Sequence, residues 1–118
     1  MTRHIKVFLL GLFLSLPSAA AFAQAFGGGY NYLNITGDAT TTIKSVPGFL
    51  HTVCFNNPIA TEVITIYDGL TAATGTKIGA ITIPASPMPL CMIYDVAFGT
   101  GLLIVTATAT SDITVSYR

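Results

Sequence analysis

The sequence predicts an all-β protein, an antiparallel β-sandwich of about eight short strands in a jelly-roll-like arrangement. Short runs rich in β-branched residues recur at spacings of about ten residues. Turn residues separate these runs, and no stretch has the periodicity of an amphipathic helix. Together these observations favour two packed sheets with short connections.

Turn chemistry sets the limits of the strands in chain order. The first strand ends at Gly37-Asp38, the second at Pro47-Gly48 and the third at Asn56-Asn57-Pro58. Three prolines within Pro84–Pro89 exclude regular pairing there, because proline cannot donate to a ladder. The predicted strands are Tyr30–Thr36, Thr40–Val46, Phe49–Phe55, Glu62–Tyr67, Lys77–Ile83, Leu90–Tyr94, Leu102–Ala109 and Ile113–Tyr117.

The first 25 residues have the architecture of an export signal. A basic start is followed by the apolar run Val7–Leu16, and Pro17 breaks that run. Ala21-Phe22-Ala23 and Ala23-Gln24-Ala25 both fit an A-x-A cleavage site, so the mature chain is expected to begin at Gln24 or Phe26. No cysteine stands there, so a lipoprotein anchor is not expected.

The signal peptide defines three parts of the chain. We expect a signal helix over 1–25, a Gly-rich join over 26–29 and one β-domain over 30–118, secreted or periplasmic. The alternative is a retained anchor, because Val7–Phe26 is roughly long enough to span a bilayer. No later segment is long and apolar enough to do so, and no membrane contact is expected once the signal is removed.

Charge is sparse, at 8% of the chain. Without the signal, three basic residues oppose five acidic ones, a net charge of 3 − 5 = −2 with His51 neutral. Such a domain is not expected to bind nucleic acid, which requires basic side chains at the phosphates. The basic residues are Lys44, Lys77 and Arg118, and the acidic ones are Asp38, Glu62, Asp68, Asp95 and Asp112.

Threonine and alanine take the place of charged residues, as in Thr40-Thr41-Thr42 and Thr106–Thr110. Leu102–Val105 is apolar at every position, which predicts a neighbour on each side of that strand. Interface cores are depleted in charge, so these features favour self-association or docking on a protein partner. Alternatively, threonine is an ordinary solvent-face residue of strands, or Pro84–Pro89 covers the face of a monomer.

Cys54 and Cys91 are the only cysteines, and both lie in predicted strands of the exported part. An even count in an oxidising compartment favours a disulfide, which would close a loop of about 38 residues. The alternative is two separate buried thiols. Two thiols and one distant histidine lack the spacing of a zinc site, and no other metal or cofactor is expected.

The sequence carries no recognisable catalytic motif, and we expect a protein that is not an enzyme. A hydrolase triad would need His51 beside an activated serine or cysteine, but there is no G-x-S-x-G. Cys54 lies three residues from His51, so regular strand alternation places the two on opposite faces. The carboxylates fall at predicted turns or strand ends, where they cap backbone N–H groups.

Val46–Tyr117 resembles small phage virion proteins, β-sandwich domains that serve as decoration, head-fibre or tail-associated components. The resemblance implies a virion-type fold, and homotrimers are common among such appendages. The segments that carry it are Pro47-Gly48-Phe49-Leu50-His51, Ile64-Thr65-Ile66-Tyr67-Asp68-Gly69, Gly75-Thr76-Lys77-Ile78-Gly79, Tyr94-Asp95-Val96-Ala97-Phe98, Gly101-Leu102 and Asp112-Ile113-Thr114-Val115-Ser116-Tyr117.

The chain departs from that group in its signal peptide, its two cysteines and its Pro84–Pro89 segment. These departures indicate an exported role, or a virus whose coat proteins pass through the cell envelope. The expected function is therefore a non-enzymatic exported structural or interaction module, secreted, periplasmic or virion-associated. The alternative is a secreted or periplasmic protein that binds a carbohydrate or a host-surface partner.

Overall fold

The computed structural model describes residues 29–37, 39–107 and 111–118, which form eight strands in two antiparallel sheets of four. These ranges contain no helix. The predicted β-sandwich is thereby confirmed, whereas the predicted signal peptide and its expected cleavage sites lie outside the described residues. The strands are β1 (Asn31–Ile35), β2 (Thr40–Lys44), β3 (Gly48–Asn57), β4 (Val63–Asp68), β5 (Thr76–Thr82), β6 (Leu90–Phe98), β7 (Leu102–Ala107) and β8 (Asp112–Tyr117).

The strand order is that of a jelly roll. Sheet A has the order β1-β8-β3-β6, and sheet B has the order β2-β7-β4-β5. The chain pairs as one long hairpin wrapped around itself, with β1 on β8, β2 on β7, β3 on β6 and β4 on β5. This wrapping leaves β1 and β6 at the edges of sheet A, and β2 and β5 at the edges of sheet B.

Most strands begin and end close to their predicted limits, and Pro84–Pro89 lies outside every strand. The exception is β6, which continues to Phe98 rather than ending at Tyr94. Asp95, placed at a strand end by the sequence, lies inside β6 at a positive φ of 48°. Opposite Asp95, the β3–β6 ladder has an irregularity, a register shift between Leu50 and Thr52. Beyond it, Val96–Phe98 pair with β3 again, so β6 is longer than predicted.

The core lies between the two sheets and is built from alternate positions of the strands. Fully burying an aliphatic or phenyl side chain of this kind stabilises the fold by roughly 1.5–3 kcal/mol. The residues between these core positions face outward, so each sheet also has an outer face. The buried core includes Leu50, Val53, Phe55, Ile64, Ile66, Ile104, Ile113 and Val115.

Candidate functional site

The predicted disulfide is present in the structure. Cys54 on β3 and Cys91 on β6 are directly opposite in the ladder, with Cα atoms 3.9 Å apart, and their sulfur atoms are bonded. The bridge lies on the outer face of sheet A, because the neighbouring Val53 faces the core. It ties an edge strand to the interior of its sheet, and it is compatible with an oxidising compartment.

His51 lies on the outer face of sheet A, at the irregularity between Leu50 and Thr52. The irregularity breaks the alternation, so the imidazole and the disulfide share one face, and their predicted placement on opposite faces is wrong. The His51 Nδ1 atom lies 2.5 Å from Oδ1 of Asp95. The Tyr30 ring stacks on the imidazole, with centroids 4.2 Å apart.

Arg118 extends this aromatic cluster. Its guanidinium carbon lies 5.4 Å from the centre of the Tyr30 ring and 5.0 Å from that of Phe49. The Phe49 and Arg118 backbones also exchange two hydrogen bonds, 2.6 and 2.9 Å long. These contacts hold Tyr30, the residue before β1, against β3 and the end of β8. Cation–π contacts at such exposed sites contribute about 0.5–1 kcal/mol each.

Among the described residues, the exposed carboxylates accept hydrogen bonds from backbone and side-chain groups and do not pair with one another. Asp68 accepts hydrogen bonds from the backbone N–H groups of Gly99, Thr100 and Gly101, in the β6–β7 loop. These bonds, led by that from Gly99, lower the pKa of Asp68. Its predicted capping role is confirmed. Within the described ranges, no group of three or more histidine, cysteine, aspartate or glutamate residues could hold a metal ion.

The burial of Glu62 is a feature that the sequence did not predict. The sequence placed this residue at a turn or strand end, and the structure buries it completely. The Ser111 hydroxyl donates a hydrogen bond to its Oε2 atom and accepts one, 2.9 Å long, from the Ile59 backbone N–H. Its Oε1 atom has no hydrogen-bond partner among the described residues. The burial results from the approach of the β3–β4 and β7–β8 connections, which no local pattern in the sequence indicates.

The outer face of sheet B, here called the sheet B face, carries small hydroxyl and apolar side chains. Thr42, Leu103 and Tyr67 lie in one row of the register, and Val105, Thr65 and Ala80 in another. Leu103 is fully buried although it lies on this side of β7, and Val63 is exposed. Lys77 is the one charged residue of the face, which comprises Thr40, Thr42, Val63, Thr65, Tyr67, Lys77, Ala80, Thr82, Leu103, Val105 and Ala107.

The outer face of sheet A, here called the sheet A face, is chemically different. One row of the register joins Tyr32, Ser116, Thr52 and Ile93, and the next joins Asn34, Thr114, Cys54 and Cys91. Tyr32 and Ile93 stand at opposite edges and are 75% and 71% exposed. Hydroxyl groups occupy the middle of the face, and the aromatic cluster around His51 borders one end.

A hydrogen-bonded polar network borders the other end of the sheet A face. The Asn34 and Asn56 amides donate to Oδ1 of Asp112, over 2.5 and 3.1 Å, and Asn56 also donates to the Thr114 hydroxyl over 2.9 Å. The bond from Asn34 is the main cause of a lowered pKa at Asp112. Asp112 was predicted to cap backbone N–H groups, but its partners are side-chain amides.

No pocket is found in the described part of the molecule. No helix in that part is both long and apolar enough to cross a membrane. Comparison with protein-family models and with curated proteins finds no match for this chain. A functional assignment therefore depends on what the two faces can bind.

Proposed function

We propose that this protein is an exported, non-enzymatic structural module that assembles with copies of itself through the sheet B face. The observation that carries the proposal is the composition of that face, where Lys77 is the single charge among eleven residues. Cores of protein interfaces are depleted in charge, and they combine apolar contact with a few hydroxyl groups.

The shape of the sheet B face also supports assembly. Its threonine, alanine and valine side chains are short, so a neighbouring copy can approach this face closely over a broad area. Val63 is exposed, and Tyr67 and Val105 on the same face are half-buried. A second layer on this face would remove their apolar surface from water, which stabilises a complex by roughly 25 cal/mol per Å² before the costs of association.

The resemblance to phage decoration and appendage domains favours a homotrimer as the assembled state. Export is supported by the A-x-A sites of the first 25 residues and is compatible with the Cys54–Cys91 bridge. A coat component that passes through the cell envelope would need both features. Secretion, a periplasmic location and incorporation into a virion all fit this role.

Sedimentation equilibrium of the processed protein tests the proposal. The full chain is expressed in a Gram-negative host, and the exported product is purified without reducing agent. We expect a mass of about three protomers at tens of micromolar, with little binding of dyes that report apolar surface. A monomer at that concentration would contradict assembly and leave the protein as a monomeric secreted binder.

A further inference from the structure

The sheet A face presents an aromatic ring that the described residues leave in solvent. Tyr32 is the second residue of edge strand β1, and its side chain is 75% exposed. By contrast, Tyr30 on the same side of the chain is stacked on His51. An exposed ring of this kind offers a flat apolar platform with a hydroxyl at its tip.

The side chains next to this platform are hydrogen-bonding groups held in fixed positions. Asn34 is two residues along the same strand, and its amide is fixed by Asp112. Asn56 is fixed in the same way, by Asp112 and Thr114. Among the described residues, the amide oxygens of Asn34 and Asn56 accept no hydrogen bond, so they can accept from a ligand without breaking the network.

The floor between the two edges is shallow and lined with hydroxyl groups. Ser116 and Thr52 join Tyr32 to Ile93 across the four strands of sheet A. Three strand spacings separate these edges, a width of about 14 Å. Because the described part has no pocket, the face suits an extended chain lying on it better than an enclosed small molecule.

A ligand with an apolar ring face and a rim of hydroxyl groups matches this arrangement, and sugar rings have both. We propose that the sheet A face binds an uncharged polysaccharide, with a sugar ring stacked on Tyr32 and its hydroxyl groups bonded to Asn34 and Asn56. This inference does not depend on assembly through the sheet B face, which is on the opposite side of the sandwich.

The charges on the sheet A face select against acidic polysaccharides. Asp112 is negatively charged at neutral pH, and the hydrogen bonds from Asn34 and Asn56 lower its pKa, so it would repel a nearby uronate or sulfate group. The guanidinium of Arg118, at the far end, lies over the rings of Tyr30 and Phe49. An uncharged chain meets the amides and hydroxyl groups without repulsion by Asp112.

Affinity electrophoresis in native gels tests this site with defined probes. The gels contain hydroxyethylcellulose, barley β-glucan, mannan, dextran or, as an acidic comparison, heparin. We expect at least one uncharged polysaccharide to retard the wild-type protein. Tyr32→Ala should weaken that retardation about tenfold or more, whereas Tyr32→Phe keeps most of it because the stacking ring remains.

Asn56→Ala should weaken binding several-fold. Val46→Ala is the control that should leave binding unchanged, because Val46 is exposed in the β2–β3 connection, outside both faces. Thermal unfolding of each variant verifies that the sandwich is intact. We expect the Tyr32 variants to fold, because this side chain is mostly exposed. Retardation by none of the uncharged polysaccharides, by heparin alone, or equally for wild type and Tyr32→Ala would overturn the inference. Retardation of a monomeric wild-type protein would uphold it while contradicting the proposed assembly.

Discussion

Cys54 and Cys91 face each other across the antiparallel pair β3 and β6, and their disulfide locks the register of an edge strand. The two residues are 37 positions apart, and the segment between them contains β4, β5 and the Pro84–Pro89 connection. Closing a loop of that length lowers the entropy of the unfolded chain, which corresponds to about 4 kcal/mol of stability. That is a large share of the stability of a small domain.

We therefore expect the double variant Cys54→Ser/Cys91→Ser to lower the free energy of unfolding by about 2–4 kcal/mol. Urea denaturation of the processed protein measures this change. As a control, wild-type protein kept reduced should have the same free energy of unfolding as the double variant. Non-reducing peptide mapping should find one linked peptide pair. Two freely alkylatable thiols in unreduced, denatured protein would contradict the bridge.

At Gly48, the first residue of β3, neighbouring atoms lie so close to the backbone that only glycine fits without a shift. A Cβ atom there would lie 2.4 Å from the Arg118 carbonyl oxygen and 2.7 Å from Cζ of Phe98. We expect Gly48→Ala to lower the free energy of unfolding by roughly 1–3 kcal/mol, because the backbone has to move. Gly37→Ala is the control, since nothing lies within 4 Å of its added Cβ. Equal stabilities of the two variants in urea denaturation would refute this account.

Much of the fold follows from local sequence signals. The alternation of Ile64 and Ile66 with Val63 and Thr65 indicates a strand with one buried face, and the structure has that strand. The prolines of Pro84–Pro89 correctly exclude a strand. Such signals act within a few residues, so they are visible in the chain itself.

Features that depend on pairing could not be predicted in the same way. The register shift beside His51 arises between β3 and β6, and it changes which face the imidazole occupies. The burial of Glu62 depends on Ser111, which is distant in sequence and comes close only when the sandwich forms. Likewise, the faces of the sandwich are defined by neighbours in the sheet, so the isolation of Tyr32 emerges only from the fold.

Asp68 makes stability depend on pH. Its folded-state pKa is lowered, first by the bond from the Gly99 N–H and then by that from Thr100. A lowered pKa stabilises the folded state above the unfolded value of about 3.9, and this contribution is lost as the pH falls through the folded-state pKa. We expect Asp68→Asn to cost about 1 kcal/mol at neutral pH, a modest value because water screens the exposed carboxylate.

Urea denaturation of wild type and Asp68→Asn at a series of pH values measures this dependence. The difference in free energy of unfolding should be greatest near neutral pH and should shrink below about pH 4. A difference that is constant down to strongly acidic pH would show that the carboxylate charge does not act in this way.

The N-terminal segment predicts a specific processing event. Expression of the full chain in a Gram-negative host should yield a product that lacks residues 1–23 or 1–25, because the A-x-A sites end there. Intact-mass measurement distinguishes the two products. Full-length protein recovered from the inner membrane would instead indicate a retained anchor.

The central claim is that copies of the protein meet at the sheet B face, and two alanines allow a matched test. Ala80 on β5 and Ala97 on β6 are both exposed, and each lies on an edge strand, one in sheet B and the other in sheet A. A glutamate at either position should disturb the isolated domain to a similar extent. Ala80→Glu places a charge in the proposed interface, whereas Ala97→Glu places it on the other sheet.

The decisive measurement is sedimentation equilibrium of Ala80→Glu and Ala97→Glu beside the wild-type protein. We predict that Ala80→Glu is a monomer while Ala97→Glu keeps the wild-type mass, because burying an unpaired carboxylate opposes association. Unchanged assembly of Ala80→Glu, or loss of assembly in Ala97→Glu alone, would contradict the claim.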